Sequence, residues 1–478
     1  MVASEAAPFI KSGGLGDVME GLPAALSRIE GNEVVLLLPY YHKIRNDPSF
    51  PVETVAQFRV SLGWRQQYAG VLKLTGKETG PRVYFIDNLY YFGDREGNLY
   101  GHGDDSERFA FFSKACLDAL VALNFIPHIL QCNDWQTGLI PTYLAAWYYP
   151  LFPGTKCMFT IHNVEYQGWA APEFFQDVLA LPREYRHCLE RNGSVNVMKG
   201  AIETAHLVTT VSETYSRQLL SADYAHGMEG VLSRFSRKLT GITNGIDVST
   251  FDPATDPALP LSYDSRSFPE GKAACKAALQ REVGLPEKPD VPLLVMVTRL
   301  AGHKGLDLLR GIAHRLLRET ACQLLILGTG EAPFEEFFRQ LSVEFPRQAA
   351  ARITFDLKLA SRIYAGGDIY LMPSRSEPCG LSQMNAMRYG TVPVVHATGG
   401  LKDTVPPADD SGKGGLGFTF QTYREADFYH AICRCIHLYK EHPADFRSLQ
   451  KRCMEQDFSW DVPGRKYMEL FHRMQEKL

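Results

Sequence analysis

The sequence predicts an α/β protein made of two doubly wound parallel-sheet domains facing one another across a cleft. Three observations carry that expectation. Short apolar runs alternate with helical patterns along the whole chain. The runs are continuously apolar, as strands covered by helices on both faces must be. The length, 478 residues, exceeds what one hydrophobic core usually supports. The first strand series is VVLLL (34–38), VYFI (83–86), HILQC (128–132), CMFTI (157–161) and LVTTV (207–211). The second is LLVMV (293–297), QLLIL (323–327), RITF (352–355), DIYLM (368–372) and VPVVH (392–396). Between them, residues 243–279 are rich in Pro, Asp and Ser near their middle and read as a linker. The expected domains are residues 1–244 and 245–458, with 459–478 as a C-terminal helix packing back on the first domain.

The formal charge of −4 and the lack of any block of like charge give no reason to expect nucleic acid or an anionic membrane as partner. No apolar run is long enough to span a bilayer, and the start shows no cleavable signal pattern. Ten cysteines, several inside apolar runs and none at zinc-like spacing, suit a reducing compartment. The expected location is the cytoplasm, or the plastid stroma if the source is a plant or alga. Met1-Val2-Ala3 stands almost inside a strand, which predicts a start trimmed short.

In open α/β sheets ligands bind beyond the carboxyl ends of the strands, so a polar residue just after an apolar run is a site candidate. This filter selects Asn133-Asp134-Trp135, His162-Asn163, Ser212-Glu213 and Asn244-Gly245 in the first half. In the second it selects Arg299 and Lys304, Gly328-Thr329-Gly330, Ser374 to Gly380, and Thr398-Gly399-Gly400. Any one of these alone is as well explained by loop solvation or helix capping. Together they describe a site with chemistry. Near the start, KSGGLGDV sets Lys11 before Gly13, Gly14 and Gly16 and an amphipathic helix. Either a tight turn or an anion-binding loop fits that pattern. In TRLAGHKGLDLL two cations five residues apart precede a helix, an arrangement suited to a diphosphate. In PSRSEPCGLSQ, Glu377 stands either as a first-turn helix charge or as a carboxylate held by Pro378 and Gly380.

The strings KSGGLGDV, NDWQTG, TIHNVEYQG, TNGID, TRLAGHKGLDL, ILGTG, PSRSEPCGLSQ, MRYGTVPVV and TGGLKDTV occur in one order from Lys11 to Val405, with Phe458-Ser459-Trp460 beyond them. In this the chain resembles the bacterial glycogen synthases and plant starch synthases. The resemblance implies two Rossmann-like domains of the GT-B type. It also implies transfer of glucose from ADP-glucose to the non-reducing end of an α-1,4-glucan, with retention at the anomeric carbon. By the same resemblance Arg299 and Lys304 hold the donor diphosphate. His162 and Asn244 contact the transferred glucose, Glu377 lies beside its ring, and Gly399-Gly400 offer N–H groups to phosphate. Lys11 with Gly13 and Gly14 approaches the diphosphate and the acceptor side; Asp17, Tyr100 and Asp134 are expected sugar contacts. Asn163, Gly328, Cys379, Gly380, Leu381 and Thr398 complete the binding set, Cys379 as a packed loop thiol.

The expected mechanism follows from the absence of a second glutamate: eight residues beyond Glu377 stands Asn385. A retaining double displacement needs two carboxylates about 5 Å apart. Same-face attack is therefore expected, with the leaving phosphate as base, no obligatory metal and no cofactor. Water must be kept out, so domain closure is an expected step. The chain departs from its relatives at Ser376, where many have an aromatic residue; at Asp356, where some place an aromatic against adenine; and at Asn133, where His is common. The rival readings are a silent glucan-binding scaffold and a UDP-glucose-preferring synthase. A dinucleotide oxidoreductase lacks its GxGxxG motif here.

Overall fold

The computed structural model describes residues 1–76 and 79–476. It divides into two compact units: Met1–Gly245 together with the chain from Trp460 onward, and Ile246–Ser459.

The first unit contains β1 (Val35–Pro39), β2 (Val52–Leu62), β3 (Arg65–Leu74), β4 (Arg82–Asp87), β5 (Ile129–Asn133), β6 (Lys156–Ile161), β7 (Trp169–Ala170), β8 (Glu190–Arg191), β9 (Ser194–Asn196), β10 (Leu207–Thr210) and β11 (Leu239–Gly241). Two four-stranded arrays run β2-β3-β4-β1 and β5-β6-β10-β11. Val2 joins them, bridging Leu37 of β1 and Cys132 of β5, both in parallel. The Val2 N–H donates to Gln131 and the Leu37 N–H to Met1. The segment just after Val2 and the end of β5 therefore leave the middle of the sheet side by side, on either side of the reversal in strand order. Strands β1, β4, β5, β6 and β10 are largely buried, β11 at the edge is half-buried, and the neighbours among them pair in parallel. The sequence reading contains no counterpart of β2 and β3, an antiparallel hairpin turning at Gly63. Its alternation of exposed and half-buried residues is that of a sheet with one wet face, which a search for continuous apolar runs passes over. Its turn is tight: a Cβ on Gly63 would lie 2.1 Å from the Asp177 carbonyl, at φ +57°.

Helix Gly14–Ser27 buries Leu15, Val18, Met19, Leu22, Ala25 and Leu26 on one face. The last helix, Asp461–Glu476, packs on it within the same unit. Arg28 pairs with Asp461 at 2.9 Å. Gly21 lies so close to the Trp460 indole that a Cβ would come within 1.9 Å of its Nε1.

The second unit is a six-stranded parallel sheet of β12 (Leu293–Val297), β13 (Gln323–Leu327), β14 (Ala349–Arg352), β15 (Ile369–Met372), β16 (Val392–His396) and β17 (Phe418–Phe420), in the order β14-β13-β12-β15-β16-β17. Counted within the unit, this is the dinucleotide-fold order, with its switch point between β12 and β15. Two expectations need correction. RITF is not the strand: β14 ends at Arg352, because Ala349 pairs in register with Leu324 of β13. Phe355 is left 76% exposed beyond it. Nor is 243–279 a linker. Helix Phe268–Glu282 forms within it. The preceding loops are tied to the unit by Arg388 Nε donating to the Phe251 carbonyl at 2.7 Å and the Tyr389 hydroxyl donating to Asp256 at 2.6 Å. The polar composition there reflects hydrogen-bonded loop turns, not freedom. Among the described residues no helix is long and apolar enough to cross a membrane.

Candidate active site

In the second unit the loops after β12 and β15 leave the sheet at the switch point, and they bring Lys304 and Glu377 together. Lys304 Nζ lies 2.7 Å from Glu377 Oε2. The same oxygen accepts the Ser374 hydroxyl at 3.1 Å. Glu377 is buried and Lys304 is partly covered, so this is a desolvated, charge-assisted pair. Gly305 permits the approach: it has φ +76°, and a Cβ there would lie 2.0 Å from the Pro373 carbonyl. Arg299 is exposed on the same loop and makes no ion pair among the described residues, which leaves its guanidinium available to an anion.

The glycine turns tie the loops of this unit together. Gly400 gives its N–H to the Glu377 and Pro378 carbonyls, at 3.1 and 3.2 Å. Gly328 donates to Arg352 at 3.1 Å, and Gly330 to Glu335 at 2.9 Å. These amides are engaged inside the protein. The glycines are needed because backbones meet: a Cβ would lie 1.9 Å from the Glu377 carbonyl at Gly399, 2.3 Å from Cys379 at Gly400 and 1.8 Å from Thr298 at Gly328. Thr398 occupies the N-cap position of the helix that follows, in extended backbone and without a side-chain capping bond. Gly380, at φ +74°, and Leu381 lead into helix Ser382–Arg388. Gln383 stitches this turn by donating to the Gly380 carbonyl and to Thr404 Oγ1, each at 3.0 Å. Cys379 is buried in that loop. Asn385 is buried, and its Oδ1 has no donor among the described residues. Asp356 caps helix Leu357–Gly366, accepting from the Leu359 N–H at 2.9 Å. The aromatic ring beside it, Phe355, is exposed, whereas the sequence analysis placed it in the strand.

In the first unit Asp134 is the hub. It holds φ +57°, and its Oδ1 accepts the N–H groups of His162 at 2.7 Å and Asn163 at 3.3 Å. His162 Nε2 lies 2.9 Å from Asn133 Oδ1, while Asn133 Nδ2 donates to the Val2 carbonyl. Asn133 Oδ1 is thereby turned to the ring and Nε2 carries the proton. Burial holds His162 down to about 3, so the ring is neutral and Nδ1 is the acceptor. Burial also pushes the Asp134 carboxyl up to about 7. Asn244 is buried with its Oδ1 lacking a protein donor among the described residues. Asn163 Oδ1 is engaged by the Glu165 N–H at 3.0 Å.

Lys11 pairs with Asp17 at 2.7 Å across the start of helix Gly14–Ser27, whose N-cap is Gly13. The Tyr100 hydroxyl lies 2.8 Å from Ser4 Oγ. A residue the sequence reading missed is Glu5, buried beneath the glycine loop and accepting both the N–H and the hydroxyl of Ser12 at 2.7 Å. Its only sequence signal is an acid among small residues just before a Gly-rich turn. Among the described residues one His/Cys/Glu group, the adjacent His187 and Cys188 with Glu203, brings its ligand atoms within 4.8 Å of one another. The Lys199 ammonium lies 2.9 Å from Glu203 and supplies the positive charge there.

Residues 1–234 match the family described as starch synthase catalytic domain, and residues 279–451 match glycosyl transferases group 1. The chain is 45% identical, over 98% of its length and 97% of the relative's, to a glycogen synthase of Exiguobacterium sibiricum. The chain belongs to the glycogen and starch synthase family. Another relative, the glycogen synthase of Bacillus subtilis, is 43% identical over 98% of this chain and 97% of its own. In structure, this family member matches the catalytic domain of Arabidopsis thaliana starch synthase IV, solved with ADP and acarbose. The TM-score is 0.90 at 34% identity, covering 99% of this chain and 98% of the other. A sucrose-phosphate synthase of Thermosynechococcus elongatus shares the fold, with TM-score 0.60 at 18% identity over 100% and 98% of the two chains. The GT-B expectation is thus met, and this glycogen/starch synthase family member is a glucosyltransferase.

The Asp134 carboxyl yields a pH prediction. Its proton is held to about pH 7 in the folded protein but leaves near pH 4 in the unfolded chain. Between those values the folded state binds more protons, so stability falls as pH rises through the window. Glu5, raised by the same burial, adds to the slope. Asp134→Asn keeps the acceptor oxygen and removes the titration. Melting temperatures measured from about pH 4 to about pH 8 are expected to fall less steeply in the variant than in the parent; parallel curves would refute the assignment.

Proposed function

We propose that the chain transfers glucose from ADP-glucose to the non-reducing end of an α-1,4-glucan, with retention. The observation that carries this reading is the Lys304–Glu377 pair at the switch point, with exposed Arg299, which has no ion pair among the described residues, on the same loop. Cleavage of the bond from C1 to the diphosphate builds negative charge on the leaving group. Arg299 and Lys304 meet that charge, and no divalent ion is required. Once Lys304 turns to phosphate, the Glu377 carboxylate faces the positive charge growing on the sugar. With Asn385 in place of a second carboxylate, the leaving phosphate takes the proton of the attacking hydroxyl. Neutral His162, with a free acceptor at Nδ1, and Asn244, with a free acceptor oxygen, receive sugar hydroxyls. Phe355 offers an exposed face to the base. The ADP and acarbose bound by the Arabidopsis relative support a nucleotide donor and a glucan-like acceptor.

The test measures nucleoside diphosphate released from ADP-glucose and from UDP-glucose with glycogen as acceptor, in the presence of EDTA. Faster turnover of ADP-glucose, unaffected by the chelator and abolished in Glu377→Ala, is expected. A faster reaction with UDP-glucose would reassign the donor, and no transfer from either would reduce the chain to a glucan-binding scaffold.

A further inference from the structure

The second unit holds another pocket at the opposite edge of its sheet. Residues 287–290 lead into β12 and Asp368 immediately precedes β15, and both line this cavity of about 570 Å³. It therefore opens at the amino ends of the strands, whereas Lys304 and Glu377 follow the carboxyl ends. Its size falls within the range of small-molecule sites.

Its charge is unbalanced. Five cations, Lys272, Lys276, Lys288, Lys440 and Arg447, line it against three carboxylates, Glu287, Asp290 and Asp368. Asp368 is taken by Lys276 at 2.7 Å, and Glu287 lies 3.4 Å from Arg281. Lys272, buried in the floor, makes no ion pair among the described residues: its ammonium donates to the Ala365 and Tyr389 carbonyls and Thr391 Oγ1, at 2.9 to 3.0 Å. At the rim Lys288, Lys440 and Arg447 are exposed and make no ion pair among the described residues. Two helices begin at the pocket, Phe268–Glu282 and Pro443–Met454, and Phe268, Pro269 and Pro443 line it. Each adds partial positive charge. Beside these charges stand Tyr439 and Phe446, edge to face at 5.1 Å, an apolar wall for the body of a ligand. None of these residues belongs to the site described above.

We propose that this pocket binds a small phosphate monoester, its phosphate held by Lys440 and Arg447 and its organic part against Tyr439 and Phe446. The mixture of excess cations with an aromatic wall favours an ester over a bare ion.

Calorimetric titration of the full chain with ribose 5-phosphate, inorganic phosphate and ribose tests the proposal. Ribose 5-phosphate is expected to bind, inorganic phosphate at least tenfold more weakly, and ribose not at all. The double variant Lys440→Glu/Arg447→Glu should weaken the ester at least tenfold while glucosyl transfer continues at the parent rate, which shows that the variant is folded. Arg299→Glu should leave the affinity unchanged. Loss of binding in Arg299→Glu would locate the ester in the switch-point site and overturn the proposal. So would indifference to the double charge reversal, or phosphate binding as tightly as its ester.

Discussion

Lys304→Ala is expected to lower kcat/KM for the nucleotide sugar by about a hundredfold or more, the cost of removing one well-placed donor from a developing anion. The loss should appear mainly in kcat, because the charge that Lys304 meets grows as the bond to the diphosphate breaks. A second consequence separates this role from a merely structural one. Without the ammonium, Glu377 is left buried with the Ser374 hydroxyl as its hydrogen-bond donor among the described residues, and an unpaired buried carboxylate destabilises a protein. Lys304→Ala/Glu377→Gln removes that strain and is expected to restore the melting temperature while activity stays low. A Lys304→Ala variant that keeps the parent kcat at a temperature where it is fully folded would show that Lys304 only supports Glu377 structurally, and would sink its assignment to the diphosphate.

Gly399→Ala is expected to be as damaging although it adds one methyl group and touches no charge. The new Cβ would stand 1.9 Å from the Glu377 carbonyl, and the backbone at φ +45° is one that alanine adopts poorly. The obstructing atom is main chain, so no rotamer change relieves the clash; the loop carrying Glu377 must move. Misplacement of a reacting group by about 1 Å is enough for a hundredfold loss in rate. Strain of about 2 kcal/mol or more would also lower the melting temperature by several degrees. Circular dichroism melts and initial rates check the two effects together. Gly414→Ala is the matched control: it also has positive φ, at +66°, but nothing within 4 Å of its Cβ position, so it should lose some stability and keep its rate. Equal activity losses at both glycines would argue that backbone strain alone, and not contact with Glu377, is responsible.

The sequence by itself determined most of the parallel strands, though not β17 or the bounds of β14, because a strand buried on both faces must be apolar at every position and such runs can be read without a partner. It also determined the candidate residues at their carboxyl ends: Arg299, Lys304, Glu377, Asp134 and His162 all follow apolar runs, and the motif order carried the family. The hairpin β2–β3, with one wet face, fell outside that signal. What only the tertiary structure decided was pairing. Ala349 opposite Leu324 moved β14 three residues earlier and exposed Phe355. The Gly399-Gly400 turn proved to clasp the Glu377 loop through its amide, and Lys304 was found on Glu377 across 73 residues of chain. Local composition records how far a residue wishes to leave water, whereas hydrogen-bond partners and close approaches depend on which segments the strand order brings together, and that information resides in no single stretch of the chain.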